Sequence, residues 1–171
     1  MPEMESNRKI KRPYLASFVL VVSMAILFFG HGKKFIGLGL NLNDESCLPE
    51  LHVALLVYTP PEAVRKDMYL FWKPQGSLAY VKQPYVLKKV AAVAGDHLEI
   101  KDNQVVVNGK VVASGLENAP LYHTTAAALR KDEIVPAGSI FMIGTAKYSN
   151  DSRYWGYLPE SAVVGRGYRL F

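Results

Sequence analysis

From Pro13 to Gly32 the chain runs for 20 residues without a charge, reading PYLASFVLVVSMAILFFGHG. As one helix this run is about 30 Å long, the thickness of a bilayer's hydrocarbon core. A cleaved signal peptide would have a shorter apolar region and then a small-x-small cleavage site. Here FFGHGKK follows, bulky and then basic. The sequence therefore predicts an uncleaved transmembrane anchor over 13–32, a cytoplasmic tail over 1–12 and one domain over 33–171. Arg8, Lys9, Lys11 and Arg12 precede the anchor, and Lys33 and Lys34 follow it. The positive-inside rule then keeps the N-terminus in the cytoplasm. In a bacterium this single-pass protein would sit in inner-membrane lipid with its domain in the periplasm.

The domain has the apolar content for a real core, since 50% of the chain is hydrophobic. Of the formal charge of +5, the tail carries +2 once Glu3 and Glu5 are counted. The remainder is spread along the domain with no basic block, so nucleic acid is not an expected partner. His31, His52, His97 and His123 lack metal-ligand spacing, and neither a metal nor a cofactor is expected. Cys47 is the sole cysteine, which excludes an internal disulfide. No His or Asn pattern accompanies it, so it reads as a small, partly buried filler rather than a nucleophile.

Beyond the anchor no segment sustains a 3.6-residue period. Residues 33–43 read as a glycine-containing connector. HVALLVYT, DMYLFW, YVLKKVAAV, SIFMIG and AVVGRGYRLF read as short strands punctuated by Gly and Pro. HLEIKDNQVVVNGKVVAS holds two turn signals, Lys-Asp-Asn and Asn-Gly, and predicts a three-stranded meander. TTAAALRK has room for one or two helical turns. The expected fold class is mainly β, an antiparallel folded sheet or barrel-like domain behind one transmembrane helix.

Within YVLKKVAAVAGD two consecutive lysines interrupt an apolar, β-branched run. Neighbours on a strand point to opposite faces, so Lys88 and Lys89 cannot both reach the same solvated side. One explanation is an edge strand whose lysine stems lie over apolar surface. The other is a lysine kept neutral by burial, able to serve as a base. A serine hydroxyl needs such a base, and Ser46 in SCLP lies on an irregular segment after the anchor. The residues alone leave both explanations open.

Five stretches, in order, resemble the boxes of the bacterial type I signal peptidase family. SCLP resembles its Ser-x-x-Pro nucleophile box, and RKDMYLFWKP its Arg-Gly-Asp strand. KKVAAVAGDHLEI resembles the lysine box, VVVNGKVV the turn after it, and VPAGSIFMIG with SNDSRYWGYLPESAVVGR the last box. The short length, single anchor and Ser-x-Leu-Pro form are similar to the TraF-type branch, which matures conjugative pilins. The resemblance implies a serine endopeptidase with Ser46 as nucleophile and Lys88 as base. It also implies that Ser149 orients the lysine, that Asp151 and Arg153 form a supporting buried pair, and that Lys89 and Trp155 are structural. The implied substrate is an exported protein, a conjugative propilin for a type IV secretion system, with secretion-channel subunits as further partners. A housekeeping signal peptidase and a catalytically inactive scaffold of a secretion channel are the alternatives. Three departures stand out. Asp44 replaces a hydroxyl residue and cannot donate to an oxyanion. Thr145-Ala146-Lys147 replaces Asp-Asn-Arg, taking away the usual partner of Lys89. Lys66 replaces a turn glycine.

Overall fold

The computed structural model describes residues 17–25, 35–41 and 46–171. The chain divides into two units, 1–35 and 36–171. In the first, residues 17–25 are helical, and Phe18, Val19, Leu20, Val21 and Met24 all stand exposed. Among the described residues no helix is long and apolar enough to cross a membrane. The tail and the rest of the predicted anchor lie outside the described residues.

The second unit is antiparallel β structure. Its strands are β1 (Ile36–Leu40), β2 (Val53–Val57), β3 (Tyr69–Trp72), β4 (Val86–Val93), β5 (His97–Lys101), β6 (Gln104–Val107), β7 (Lys110–Ser114), β8 (Lys131–Ile134), β9 (Ser139–Ile143), β10 (Leu158–Pro159) and β11 (Val163–Arg169). One sheet runs β1-β2-β11-β3-β4-β9-β10, the other β7-β6-β5-β8. A single helical turn, α1 (Ser152–Trp155), precedes β10.

The predicted meander is β5 to β7. Its turns fall at Asp102-Asn103 and Asn108-Gly109, all four with positive φ. That is the twist a two-residue hairpin needs, and Asn, Asp and Gly tolerate it best. β8 adds to β5 and widens the meander to four strands. TTAAALRK closes only a turn on the carbonyl of Thr125. Residues 36–40 form a strand rather than a connector. IGLGL does alternate, but its inward positions are glycines, which carry little strand signal. A Cβ on Gly37 would lie about 3.0 Å from the Tyr58 ring, which would have to give way slightly.

β9 shows how the two sheets are joined. Ile140 and Met142 enter one core with Leu70, Trp72 and Val90. Phe141 and Ile143, pointing the other way, enter a second core with Leu98, Ile100, Val105 and Val107 of the meander. A strand buried on both faces reads as an unbroken apolar run, as SIFMI does. Phe141→Ala should therefore cost about 3–5 kcal/mol, a cavity at the join between sheets. Denaturant unfolding followed by tryptophan fluorescence and circular dichroism should show a single, earlier transition by both signals.

Candidate active site

The strand period separates the paired lysines. Lys88 shares its face of β4 with Val86 and Val90, lies opposite Leu70 of β3, and is 2% exposed. Lys89 turns to the other face and pairs with Asp67 at 2.8 Å. Its partner thus comes from the loop before β3, replacing the acid missing from 145–147. Lys66, in place of a turn glycine, pairs with Asp96 at 3.0 Å.

A buried amine needs a hydrogen-bond partner. Lys88 Nζ donates to Ser149 Oγ at 3.0 Å, and Ser149 is fully buried. Ser149 is itself held from several sides. Its N–H donates to the carbonyl of Ala146, and its carbonyl accepts from Asn118 Nδ2 and Arg153 Nη2, each at 3.4 Å.

Beneath it lies the predicted pair. Arg153 Nε and Nη2 donate to the two carboxylate oxygens of Asp151 at 2.8 and 2.7 Å, both residues being buried. Such fork-on-fork pairing is the strong form of this contact. Arg153 Nη1 also reaches the carbonyls of Ser114 and Gly115 at the end of β7, tying the site to the meander. Asp151 Oδ2 accepts the N–H of Gly144, at the end of β9. A Cβ on Gly144 would lie 2.1 Å from Ser149 Oγ and 2.5 Å from the carbonyl oxygen of Cys47. Only glycine lets these two backbones and the serine close up.

The 46–51 loop is pinned by Leu48 and Leu51, which bury against Ala54, Leu56, Tyr69 and Leu87. Ser46 Oγ accepts from the N–H of Leu48 at 3.0 Å and from Asn41 Nδ2 at 2.6 Å. Asn41 Nδ2 also reaches the carbonyls of Leu48 and Leu51. The carbonyl of Cys47 accepts from the N–H of Ala146, and its side chain is half-buried. Burial pushes the Cys47 thiol up; the charge of Lys88, its hydrogen bond and those of Ser149 and Asn150 together outweigh this and leave it below the ordinary value. Glu50 bridges Tyr69 and Thr145. Ser46 and Cys47 both open on a mainly apolar cavity of about 310 Å³, walled by Leu51, Leu56, Phe71 and Leu87.

The structure thus brings Lys88, Ser149, Asp151 and Arg153 into one network, and the Cys47 carbonyl ties the SCLP loop to Ala146 beside it. The Ser46 hydroxyl is engaged by Asn41 and the loop's own backbone. Asp44 lies outside the described residues. Trp155 packs edge-on against Trp72 at 6.0 Å, as a core residue. Asn41, Asn118 and Gly144 belong to the site without having been predicted, because their roles are contacts to backbone groups far off in sequence.

The family model of the signal peptidases, peptidase S26, matches residues 15–171. The chain belongs to this family. It is an endopeptidase of a serine-type class in which a serine–lysine dyad is typical. Signal peptidase I of Leptolyngbya laminosa is 25% identical over 94% of this chain and 81% of its own. Conjugal transfer protein TraF of Agrobacterium fabrum is 31% identical over 50% of this chain, and the match spans 48% of that relative's length. The crystal structure of a signal peptidase I from Enterococcus faecalis aligns with a TM-score of 0.39 at 19% identity, over 61% of this chain and 97% of that one.

Two substitutions test the support beneath the site. Asp151→Ala should destabilise the peptidase by about 3–5 kcal/mol, because Arg153 stays buried without its counter-charge. Calorimetry would show it. Gly144→Ala should leave a folded protein whose processing rate falls by about 10²-fold, since Ser149 or the Cys47 backbone must move by an ångström or so. Circular dichroism beside a cleavage assay separates the two outcomes.

Proposed function

We propose that this peptidase is anchored in the bacterial inner membrane and cleaves an exported proprotein at the periplasmic face, by acyl transfer to Ser46 of the SCLP loop with Lys88 as base. The buried Lys88, held by Ser149, is the observation that carries the reading. A channel scaffold without activity would have no need of a desolvated amine there, and replacing it by an apolar residue would relieve the cost of burial.

Lys88 takes the nucleophile's proton, the nucleophile attacks the scissile carbonyl, and the departing amine takes the proton back from Lys88. Water, or an amine of the substrate, then resolves the acyl-enzyme. β3 pairs with Val86 to Lys89 on one side, whereas β9 pairs only from Lys89 onward on the other. The open edge before Lys88 is suited to an extended peptide, whose apolar side chains would fill the cavity.

Membrane anchoring is supported by the uncharged run at 13–32 and by the exposed apolar side chains of residues 17–25. One face of β1 also exposes Ile36, Leu38 and Leu40. A conjugative propilin is the substrate favoured by the likeness to TraF, with secretion-channel subunits as neighbours. Processing of signal peptides in general is the second reading, favoured by the match to a signal peptidase I along nearly the whole chain.

Lys88→Arg should lose processing by at least about 10²-fold, because a guanidinium stays protonated and cannot act as base. Wild-type cleavage by that variant would end the proposal. In cells, deletion should block pilus assembly and mating while growth continues. Accumulation of many exported precursors would instead favour the second reading. Should an amine resolve the acyl-enzyme, mature pilin would be cyclic and one water lighter by intact mass than the linear chain.

A further inference from the structure

We propose that Asn41 is a catalytic residue of this chain. Its side-chain amide, with the backbone N–H of Leu48, holds the oxyanion of the tetrahedral intermediate at a point that the Ser46 hydroxyl fills at rest. This rests on the reading of Ser46 and Lys88 as an acyl-transfer pair and names the group that takes up the charge.

Acyl transfer places a negative charge on the scissile carbonyl oxygen, and donors already aimed at that position are what stabilise it. Asp44, two residues before the nucleophile, is a carboxylate with nothing to donate. Two donors do converge beside Ser46. Asn41 Nδ2 lies 2.6 Å from Ser46 Oγ, and the Leu48 nitrogen lies 3.0 Å from it. Asn41 Nδ2 also donates to the carbonyls of Leu48 and Leu51, each at 3.1 Å. Those carbonyls can only accept, so they orient the amide: its oxygen in that place would face two other oxygens. The NH2 end of Asn41 therefore faces the loop.

Both donors are fixed before a substrate arrives. The Asn41 N–H donates to the carbonyl of His52 at 2.9 Å, which holds the chain at the end of β1. Leu48 and Leu51 are buried. Asn41, Ser46 and Leu48 all line the cavity of about 310 Å³, so the point they surround is open to a bound peptide.

Ser46 at rest is not set to attack. Its oxygen accepts twice, which uses both lone pairs, and neither hydrogen bond is to Lys88, whose Nζ is held by Ser149. A turn about the Cα–Cβ bond to another staggered position frees a lone pair and vacates the point between the two donors. Two staggered positions of one hydroxyl are about as far apart as two oxygens on one tetrahedral carbon. The substrate's carbonyl oxygen thus reaches the vacated point while Ser46 Oγ bonds the carbon beside it. In that step the Oγ–H proton passes to Lys88 Nζ, and the carbonyl π pair moves onto the oxygen that Asn41 Nδ2 and the Leu48 N–H now donate to. The pair then returns, the C–N bond breaks, and the leaving amine takes the proton from Lys88. An ester on Ser46 remains.

The test compares p-nitrophenyl acetate with p-nitrophenyl thionoacetate, whose carbonyl oxygen is replaced by sulfur, on the full chain in detergent. Acylation of Ser46 is followed by intact mass and peptide mapping. Sulfur is a weak acceptor, so the thiono ester gains little from N–H donors. The wild type should favour the carbonyl ester well beyond the ratio the two esters show in buffer. Asn41→Ala should slow acylation by the carbonyl ester by about 10²–10³-fold, the loss expected for one oxyanion donor. The thiono ester should react nearly as before, so the selectivity collapses. Asn41→Leu, close to asparagine in size, should behave alike and covers the case of an alanine variant that unfolds. Equal slowing of both esters would mean that Asn41 only holds the loop, and would overturn the inference while leaving the proposed function intact. Wild-type acylation by Asn41→Ala would overturn it as well, as would a wild-type selectivity no greater than that in buffer. Ser46→Ala should be acylated by neither ester. Acyl transfer at the wild-type rate in Ser46→Ala would instead overturn the proposed function, and the inference with it.

Discussion

The buried Asp151–Arg153 pair is the contact on which the rest of the site depends. A guanidinium and a carboxylate taken out of water must satisfy nearly all their hydrogen-bonding capacity, or the fold loses several kcal/mol. Here each partner does so by holding a different part of the molecule. Asp151 takes the N–H of Gly144 and so fixes where β9 ends. Arg153 takes the carbonyls of Ser114 and Gly115 at the end of the meander, and that of Ser149. The ion pair therefore joins two sheets and sets the height of Ser149. Ser149 in turn sets Lys88. The distance from Lys88 to Ser149 is thus fixed by charges that lie behind both, which is the usual logic of a supporting shell around a buried group.

Much of this was legible in the sequence, for identifiable reasons. Strand alternation alone required the two lysines to diverge, and the family pattern said which one went inward. Asp-Ser-Arg-x-Trp-Gly is a local string, and its contacts are local too: Asp151 caps α1 and pairs with a residue two places on. The hairpins at 102–103 and 108–109 were readable because positive φ restricts the residues that can stand there. β1 was hidden by its glycines, β8 by its charges. Gly144 and Asn118 were hidden because nothing near them in sequence shows what they touch.

The partner of Lys89 was not legible in the sequence. The acid usual at 145–147 is missing, and Asp67, at the mouth of β3, supplies the charge instead. Asp67 has φ of 66°, a conformation that Asp accepts more readily than most residues. The vacated acid position is also reused. Thr145 there bonds Glu50, which binds Tyr69 as well, so the 46–51 loop is tied to the sheet by a different route. Charge has been moved around the site while the burial of Lys88 is kept.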